Sequence, residues 1–150
     1  MFNLSGKIAL ITGASSGLGW NFCQTLAKNG AHVIAAARRA EKLDELVNII
    51  KQEGGSAEIL ELDVCSFECV KKQISALAKP IDILINNAGI GSLTTVENET
   101  DEIWHKVLNV NVVGTARVSR AAIPLLRASK SAAIVNTASI AGTDGIPNRA

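Results

Sequence analysis

The sequence contains no tyrosine, and only 3% of its 150 residues are aromatic. Fifteen basic and fourteen acidic side chains leave a net charge of +1, so no bulk field draws the chain to nucleic acid or to an anionic membrane. The longest apolar runs, residues 8–11 and 33–37, are too short to span a bilayer. The amino-terminal residues lack the pattern of a secretory signal peptide, so we expect a cytoplasmic protein with no nucleic-acid or membrane partner.

The sequence also has few residues that form disulfides or bind metals. Its three cysteines cannot make a closed disulfide framework, and its two histidines, His32 and His105, stand alone. Cys65 and Cys69 are close enough to face each other on a helix, but no histidine clusters with them to complete a metal site. We therefore expect no metal ion, and we interpret the cysteines as buried or half-buried thiols in a reducing compartment.

Composition and hydrophobic pattern indicate one globular α/β domain. With 47% hydrophobic and 19% charged residues, the chain can bury a sizeable core. Short apolar runs typical of strands alternate with longer segments of helical periodicity, which predicts right-handed crossovers and a doubly wound parallel sheet, the Rossmann fold. We predict strands at residues 7–12, 32–37, 57–62, 81–85 and 132–137, and helices at about 16–28, 40–53, 66–78 and 100–128, the last interrupted by Gly114 and Pro124.

The first strand is followed directly by the glycine-rich sequence Thr12-Gly13-Ala14-Ser15-Ser16-Gly17-Leu18-Gly19. The first glycine permits a tight turn, the second lets the backbone approach a pyrophosphate, and the third lets helix and strand pack closely. The free amides at the helix start then hold the phosphates. A glycine-rich turn without a ligand is the alternative, but the strand–turn–helix context favours a dinucleotide. The predicted cofactor contacts here are Gly13, Ser15, Ser16, Gly17, Leu18 and Gly19.

The end of the second strand bears on which nicotinamide cofactor is bound. An acidic residue at this place would bind the 2′-hydroxyl of the adenosine ribose and repel a 2′-phosphate. The sequence instead reads Ala35-Ala36-Ala37-Arg38-Arg39, and guanidinium groups match phosphate geometry well. Two solvated arginines at a helix start are the alternative, although the helix dipole disfavours cations there. We therefore favour NADP(H) over NAD(H), with Arg38 as the residue that binds the 2′-phosphate.

Polar residues also follow the third and fourth strands. Asp63, next to Val64, is placed to accept a hydrogen bond from the adenine amino group, although an aspartate after a strand is often only a helix cap. Asn86-Asn87-Ala88-Gly89 combines two amides with two small residues, which suits close passage of a flat ligand, although an asparagine turn is the ordinary explanation. We predict cofactor contacts at Asp63, Val64, Asn87, Ala88 and Gly89.

Taken in order, these segments resemble the short-chain dehydrogenase/reductase family of compact, single-domain type. Thr12-Gly13-(x)3-Gly17-x-Gly19 matches the family's cofactor loop, and Asn86-Asn87-Ala88-Gly89 matches its fourth-strand segment. Asn109-Val110-Asn111-Val112-Val113-Gly114 matches its helix segment, which places Asn111 at the catalytic asparagine. The fifth-strand segment from Ile134 to Gly142 matches the one that presents the catalytic serine, here Ser139.

The resemblance implies hydride transfer between a nicotinamide and a carbonyl or alcohol. In the family a tyrosine exchanges the proton with the substrate oxygen, and a lysine one helical turn later lowers the pKa of that tyrosine. Serine hydrogen-bonds the reacting oxygen, and asparagine holds a water in a proton relay. The resemblance further implies a homodimer or homotetramer through the segment at residues 100–128, where Ile103, Val107, Val112 and Val118 are apolar.

The sequence departs from the family at its carboxyl end. The Tyr-x-x-x-Lys motif should follow the serine by about thirteen residues, just beyond Ala150, and only the approach at residues 145–150 is present. We therefore expect residues 1–150 to be a dinucleotide-binding Rossmann domain that is incomplete at its carboxyl end and inactive alone. A truncated gene product and a non-catalytic nucleotide-binding or regulatory module are the alternatives. A methyltransferase is disfavoured because Asn86–Gly89 and Ser139 would have no task there, and fold alone does not identify the substrate.

Overall fold

A computed structural model describes residues 3–146, so residues 147–150, the end of the predicted approach to the Tyr-x-x-x-Lys motif, lie outside the described residues. The predicted doubly wound α/β fold is confirmed, and each predicted strand is present with ends shifted by no more than two residues. The strands are β1 (Ile8–Thr12), β2 (His32–Ala37), β3 (Ser56–Glu61), β4 (Ile83–Asn86) and β5 (Ala133–Asn136).

Helices connect the strands as the hydrophobic periodicity predicts. The third helix begins where expected, because the Ser66 hydroxyl accepts a hydrogen bond from the Cys69 amide at 3.2 Å. It ends at Ser75, three residues earlier than predicted, and Ala78 adopts a left-handed conformation with φ +46° before Pro80. The α-helices are α1 (Gly17–Lys28), α2 (Ala40–Gln52), α3 (Phe67–Ser75), α4 (Asp101–Leu108) and α5 (Thr115–Arg127).

The five strands form one parallel sheet in the order β3-β2-β1-β4-β5. Alternate side chains of the strands enter two separate cores, one on each face. Leu10 and Ile34 join the core with α3 and α5, whereas Ile11 and Val33 join the core with α1 and α2. The strand order changes direction between β1 and β4, which opens a crevice at their carboxyl ends, the usual ligand site of such sheets.

The segment predicted as one interrupted helix is a continuous helical rod with a change of pitch. A π-helical turn, Asn109–Gly114, joins α4 to α5. Gly114 is needed there because an added Cβ would lie 2.9 Å from Cγ2 of Val64. The predicted interruption at Pro124 is wrong, since Pro124 lies inside α5, where the buried Val118, Ala122 and Leu126 hold the helix against the sheet.

Within residues 3–146, no helix is both long enough and apolar enough to cross a bilayer. The same residues contain no group of three or more side chains suited to hold a metal ion. The three cysteines are free thiols; Cys23 is buried, and Cys65 and Cys69 are half-buried. Burial raises the pKa of Cys23 to about 12, so this thiol is inert at neutral pH.

Asp82 ties three parallel strands together at the amino edge of the sheet. Its carboxylate accepts hydrogen bonds from the Ile8 amide at 2.9 Å, the Ser129 hydroxyl at 2.6 Å and the Lys7 ammonium at 3.2 Å. Partial burial acts to raise the pKa of Asp82, but these three donors outweigh it and hold that pKa below its usual value. The ionised carboxylate therefore stabilises the folded state at neutral pH.

We expect Asp82→Asn to lower the free energy of unfolding by about 1 to 3 kcal/mol at pH 7, the range for a hydrogen bond to a charged group. Because the folded-state pKa is lowered, this contribution is present above the usual pKa of aspartate and is lost as the pH falls below about 4. Urea unfolding of both proteins at several pH values tests this. The exposed Asp44→Asn is the control; an Asp82→Asn deficit that stays constant into acid would contradict the proposed linkage.

Candidate functional site

A cleft of about 490 Å³ opens at the carboxyl ends of the strands, and the predicted cofactor residues converge on it. Of the twelve predicted contacts, ten line this cleft, while Gly17 and Gly19 lie in the first turn of α1 beside it. The ten are Gly13, Ser15, Ser16, Leu18, Arg38, Asp63, Val64, Asn87, Ala88 and Gly89. Its lining also includes residues that were not among the predicted contacts: Ala36, Ala37, Arg39, Leu62, Cys65, Ile90, Val110 and Thr137.

The glycine-rich loop crosses the end of β4 in van der Waals contact. Gly13 has φ +68°, and an added Cβ would lie 2.8 Å from Cα of Ala88. A Cβ on Gly19 would lie 2.6 Å from Nδ2 of Asn87, so helix α1 also approaches β4 closely. Gly17 differs, because a Cβ there would meet nothing within 4 Å and its backbone faces open space. The loop thus packs against the protein at both ends and is open in the middle.

The amino terminus of α1 is suited to an anion. Ser16 occupies the N-cap position with an extended backbone, yet its side chain makes no capping hydrogen bond, and the first turn has no acidic residue. The N-cap residues Ser66 and Thr100 of α3 and α4, by contrast, accept hydrogen bonds from their own helix amides. The first amides of α1 are therefore without a side-chain acceptor, and the helix dipole adds partial positive charge there.

Thr12 begins the glycine-rich motif and has a structural role, although it was not among the predicted cofactor contacts. Its buried hydroxyl oxygen accepts hydrogen bonds from the amides of Asn87 at 3.0 Å and Ala88 at 3.1 Å. The Asn87 side-chain amide in turn donates to the carbonyl oxygen of Thr12 at 3.2 Å. These bonds fix the ends of β1 and β4 to each other. The sequence indicated a polar residue before Gly13, but only the pairing of β1 with β4 reveals its partner.

The two arginines after β2 have different environments. Arg38 is exposed and lines the cleft beside the neutral Ala37. The guanidinium of Arg39 turns toward the glycine-rich loop: Nη2 donates to the hydroxyls of Ser15 at 2.8 Å and Ser16 at 3.0 Å, and Nε donates to Ser15 Oγ at 3.2 Å. Within the described chain, Arg39 is thus bound to the loop, a contact that the sequence did not predict.

Asp63 and Val64 lie at the far wall of the cleft. One carboxylate oxygen of Asp63 accepts from the Cys65 amide at 3.0 Å in a local turn, and Asp63 is not the helix cap considered as the alternative, because Ser66 caps α3. Burial and the negative charge of Asp63 raise the pKa of the Cys65 thiol, against the opposing charges of Arg38 and Arg117. Arg117 also donates to the carbonyl oxygen of Val64 at 3.3 Å, which connects this wall to α5.

Asn111 lies in the π-helical turn and holds the backbone beyond β4. Its side-chain oxygen accepts from the Ile90 amide at 2.9 Å, and its Nδ2 donates to the Ile90 carbonyl at 2.8 Å. Asn111 itself is not part of the cleft lining, but Ile90 is. The Thr115 hydroxyl donates to the carbonyl oxygen of Asn111 at 2.9 Å. The two direct contacts of Asn111 thus position the segment that follows Gly89.

Ser139 follows β5 at the same edge of the sheet. Its hydroxyl accepts from the Ala141 amide at 3.2 Å and begins the short 3₁₀ turn Ile140–Gly142. Ser139 is not part of the cleft lining, whereas Thr137, two residues earlier, is; the Thr137 hydroxyl donates to Oδ1 of Asn87 at 3.3 Å. The end of β5 is therefore fixed to the same asparagine that contacts Thr12.

The fold and the site define a nucleotide-binding α/β protein of the Rossmann class. The sequence model of the short chain dehydrogenase family matches residues 7–150. A short chain dehydrogenase from Pseudocercospora fijiensis is 41% identical over 93% of this chain and 47% of its own length. The chain therefore belongs to the short-chain dehydrogenase/reductase family, and it spans about half the length of the curated relatives it matches.

Solved structures agree with this assignment. The structure of gluconate 5-dehydrogenase from Burkholderia cenocepacia with NADP and tartrate has a TM-score of 0.91 and 32% identity, covering 99% of this chain and 60% of that one. The structure of L-sorbose reductase from Gluconobacter frateurii with NADPH and L-sorbose has a TM-score of 0.91 and 33% identity, covering 99% and 58%. Both bind a nicotinamide cofactor.

Proposed function

We propose that this chain is the cofactor-binding part of an NADP-dependent oxidoreductase that acts on a carbonyl or alcohol substrate. The observation that carries the proposal is the cleft at the carboxyl edge, where an uncapped helix amino terminus stands near an exposed arginine that follows the neutral Ala37. Such a cleft presents amides to a pyrophosphate and a guanidinium to a 2′-phosphate. Some structural neighbours contain NADP or NADPH and another contains NAD⁺, so family membership alone leaves the preference to the residues of this chain.

The residues of the cleft fit an extended dinucleotide. The loop at Ser15, Ser16 and Gly17 would hold the pyrophosphate, and the exposed apolar side chain of Leu18 would be covered by the ligand. Asp63 and Val64 would bind the adenine end. The segment of Asn87, Ala88 and Gly89 would lie along the nicotinamide side. When bound, the nicotinamide supplies or accepts a hydride.

Ser139 and Asn111 are the proposed contributions of this chain to the reaction itself. Ser139 would hydrogen-bond the reacting oxygen once its hydroxyl is directed away from the Ala141 amide. Asn111 would position the backbone at Ile90, and it would hold the water of the proton relay that the family resemblance implies. The catalytic tyrosine and lysine would come from sequence beyond residue 150, which agrees with the greater length of the relatives. A non-catalytic nucleotide-binding module remains the second candidate, favoured only if no Tyr-x-x-x-Lys segment follows.

The complete enzyme is proposed to be a homodimer or homotetramer that pairs through α4 and the π-helical turn. An apolar stripe with helical spacing, Trp104, Leu108 and Val112, is exposed on this rod by 47%, 46% and 58%. The predicted contribution of Val118 to the interface is wrong, because that side chain is fully buried in the core.

We expect Leu108→Glu to shift the full-length protein toward monomer in sedimentation velocity, and Lys106→Glu to leave its assembly unchanged. A monomeric parent protein would contradict this.

Cofactor selectivity gives the direct test of the proposed function. Replacing Arg38 by Ala in the full-length protein is expected to weaken NADPH binding by about 1 to 3 kcal/mol, the range of a charge-assisted hydrogen bond. NADH affinity should barely change, because NADH has no 2′-phosphate for this side chain to bind. Titration of both cofactors by calorimetry or by nicotinamide fluorescence measures the two values.

Lys42→Ala is the matched control for Arg38→Ala. Lys42 is a cation in the first turn of α2 whose ammonium pairs with Glu45 at 2.7 Å, so its loss changes the net charge equally without affecting the cleft. This variant should keep the affinity of the parent for both cofactors. Equal losses of NADPH and NADH in Arg38→Ala would contradict the assignment of the 2′-phosphate to Arg38.

A further inference from the structure

The Arg39 guanidinium does more than add positive charge to the cleft. It holds both serines of the glycine-rich loop through its Nε and Nη2 atoms, with donor–acceptor distances of 2.8 to 3.2 Å to the two hydroxyls. A longer contact of 3.5 Å reaches the carbonyl oxygen of Ser15. These contacts join the beginning of α2 to the beginning of α1 across the carboxyl edge of the sheet.

The Ser16 hydroxyl is the informative atom of this cluster. Ser16 has the extended N-cap backbone, with φ −171° and ψ 168°, and serine is among the best N-cap residues. Ser66 and Ser139 have extended backbones at equivalent positions, and both accept a hydrogen bond from an amide of their own helix. Ser16 does not cap α1, and its hydroxyl oxygen accepts from Arg39 instead.

We infer that Arg39 is a positioning residue that keeps the amino terminus of α1 open for the cofactor pyrophosphate by holding the Ser16 hydroxyl away from the helix amides. A serine hydroxyl and a phosphate oxygen compete for the same donors, so a capped helix is a poorer anion site. This inference rests on the proposed function, because it assigns the pyrophosphate to this loop. It differs from the role of Arg38, which concerns only the 2′-phosphate.

The position of Arg39 is consistent with a role outside its own helix. Arg39 is the N-cap residue of α2 and makes no side-chain capping hydrogen bond there. A cation at a helix amino terminus is disfavoured by the helix dipole, so the local structure of α2 gives no reason for an arginine. Its planar guanidinium instead donates from two nitrogen atoms to two neighbouring hydroxyls, a geometry that the single ammonium nitrogen of lysine cannot reproduce.

The test compares pyrophosphate-bearing ligands that have or lack the 2′-phosphate. In the full-length protein we expect Arg39→Ala to weaken NADPH, NADH and ADP-ribose by a similar factor of about ten, the effect of one hydrogen bond to a charged group. Arg39→Lys should recover only part of this loss. The KM for either cofactor should rise while kcat at saturating cofactor stays unchanged, and Lys42→Ala should behave as the parent protein.

A double-mutant cycle separates holding of the loop from direct ligand contact. If Arg39 acts by keeping the Ser16 hydroxyl from capping α1, Arg39→Ala should cost at least about threefold less affinity in a Ser16→Ala background than in the parent. Amide hydrogen exchange of residues 17–19 in the cofactor-free protein should slow in Arg39→Ala, because the new cap protects those amides.

The possible results of these measurements distinguish failure of this inference from failure of the proposed function. Loss of NADPH affinity alone in Arg39→Ala would overturn the inference and assign Arg39 to the 2′-phosphate, leaving the proposed function intact. Strictly additive losses with Ser16→Ala, together with unchanged exchange at residues 17–19, would also overturn it. If the parent protein bound none of the three ligands, the proposed function would fail, and this inference with it.

Discussion

The polypeptide of residues 1–150 is expected to show no turnover with any ketone or alcohol, even where it folds and binds cofactor. It contains no tyrosine to act as general acid, and the hydroxyl of Ser139 is a poor proton donor at neutral pH. Arg127 ends α5 and Lys130 precedes β5, so both lie toward the amino end of that strand, at the opposite edge from the cleft. Neither Arg127 nor Lys130 is therefore placed to substitute for the lysine that the family resemblance implies.

The expected rate deficit is large. General acid–base catalysis contributes a factor of about 10² to 10⁴, and loss of the lysine together with the tyrosine should exceed that range. The assay is NADPH oxidation over a broad carbonyl panel by residues 1–150 and by the same protein extended through the Tyr-x-x-x-Lys segment to its natural end. Cofactor binding by the shorter polypeptide, measured in parallel, distinguishes an inactive protein from an unfolded one.

The exposed side chains of β5 are expected to make the shorter polypeptide prone to aggregation. The β5 side chains Ile134 and Val135 are exposed by 42% and 50%, and exposed apolar strands favour aggregation. Measurements should therefore be made on the aggregate-free fraction after gel filtration. Turnover by that fraction at a rate near that of the extended protein would show that the catalytic residues have been misassigned.

Gly13→Ala is expected to destabilise the protein through both its backbone conformation and its packing. Its backbone has φ +68°, which costs a non-glycine residue about 1 to 2 kcal/mol. The added Cβ would also lie 2.8 Å from Cα and 2.9 Å from the amide nitrogen of Ala88, which are backbone atoms fixed by Thr12. Overpacking of this kind costs about 1 to 3 kcal/mol, so we expect a total loss of about 2 to 5 kcal/mol of unfolding free energy.

Two other glycines separate the causes of that loss. Gly54 has φ +82° but open space around its Cβ position, so Gly54→Ala measures the backbone cost alone. Gly142 has neither a positive φ nor a neighbour within 4 Å, so Gly142→Ala should be nearly neutral. Urea unfolding gives all three values, and ligand titration should show weakened ADP-ribose binding only in Gly13→Ala. A Gly13→Ala loss no greater than that of Gly54→Ala would mean that the loop can move away from Ala88.

The sequence alone predicted the fold because its information is periodic and local. Residues 33–37 of β2 form a continuous apolar run. Helix α2 repeats Leu43, Leu46, Val47 and Ile50 at helical spacing, and all four of these side chains are buried. Helix capping also depends on neighbouring residues only, so Ser66 at the N-cap position predicted where α3 begins. Gly114 marked a real change in the long helix, although the residues form a π turn there rather than a break. The interruption predicted at Pro124 is absent because packing of α5 against the sheet outweighs the loss of one backbone hydrogen bond.

The sequence by itself predicted ten of the residues that line the cleft, since each follows a parallel strand and the carboxyl ends of such strands share one edge. Only the tertiary structure decided their partners. Thr12 meets Asn87 and Ala88 because β1 pairs with β4, a contact between segments 75 residues apart. Arg39 meets Ser15 and Ser16 because β2 lies on the other side of β1. Contacts across a sheet depend on strand order and register, and neither is encoded in the spacing of any single motif.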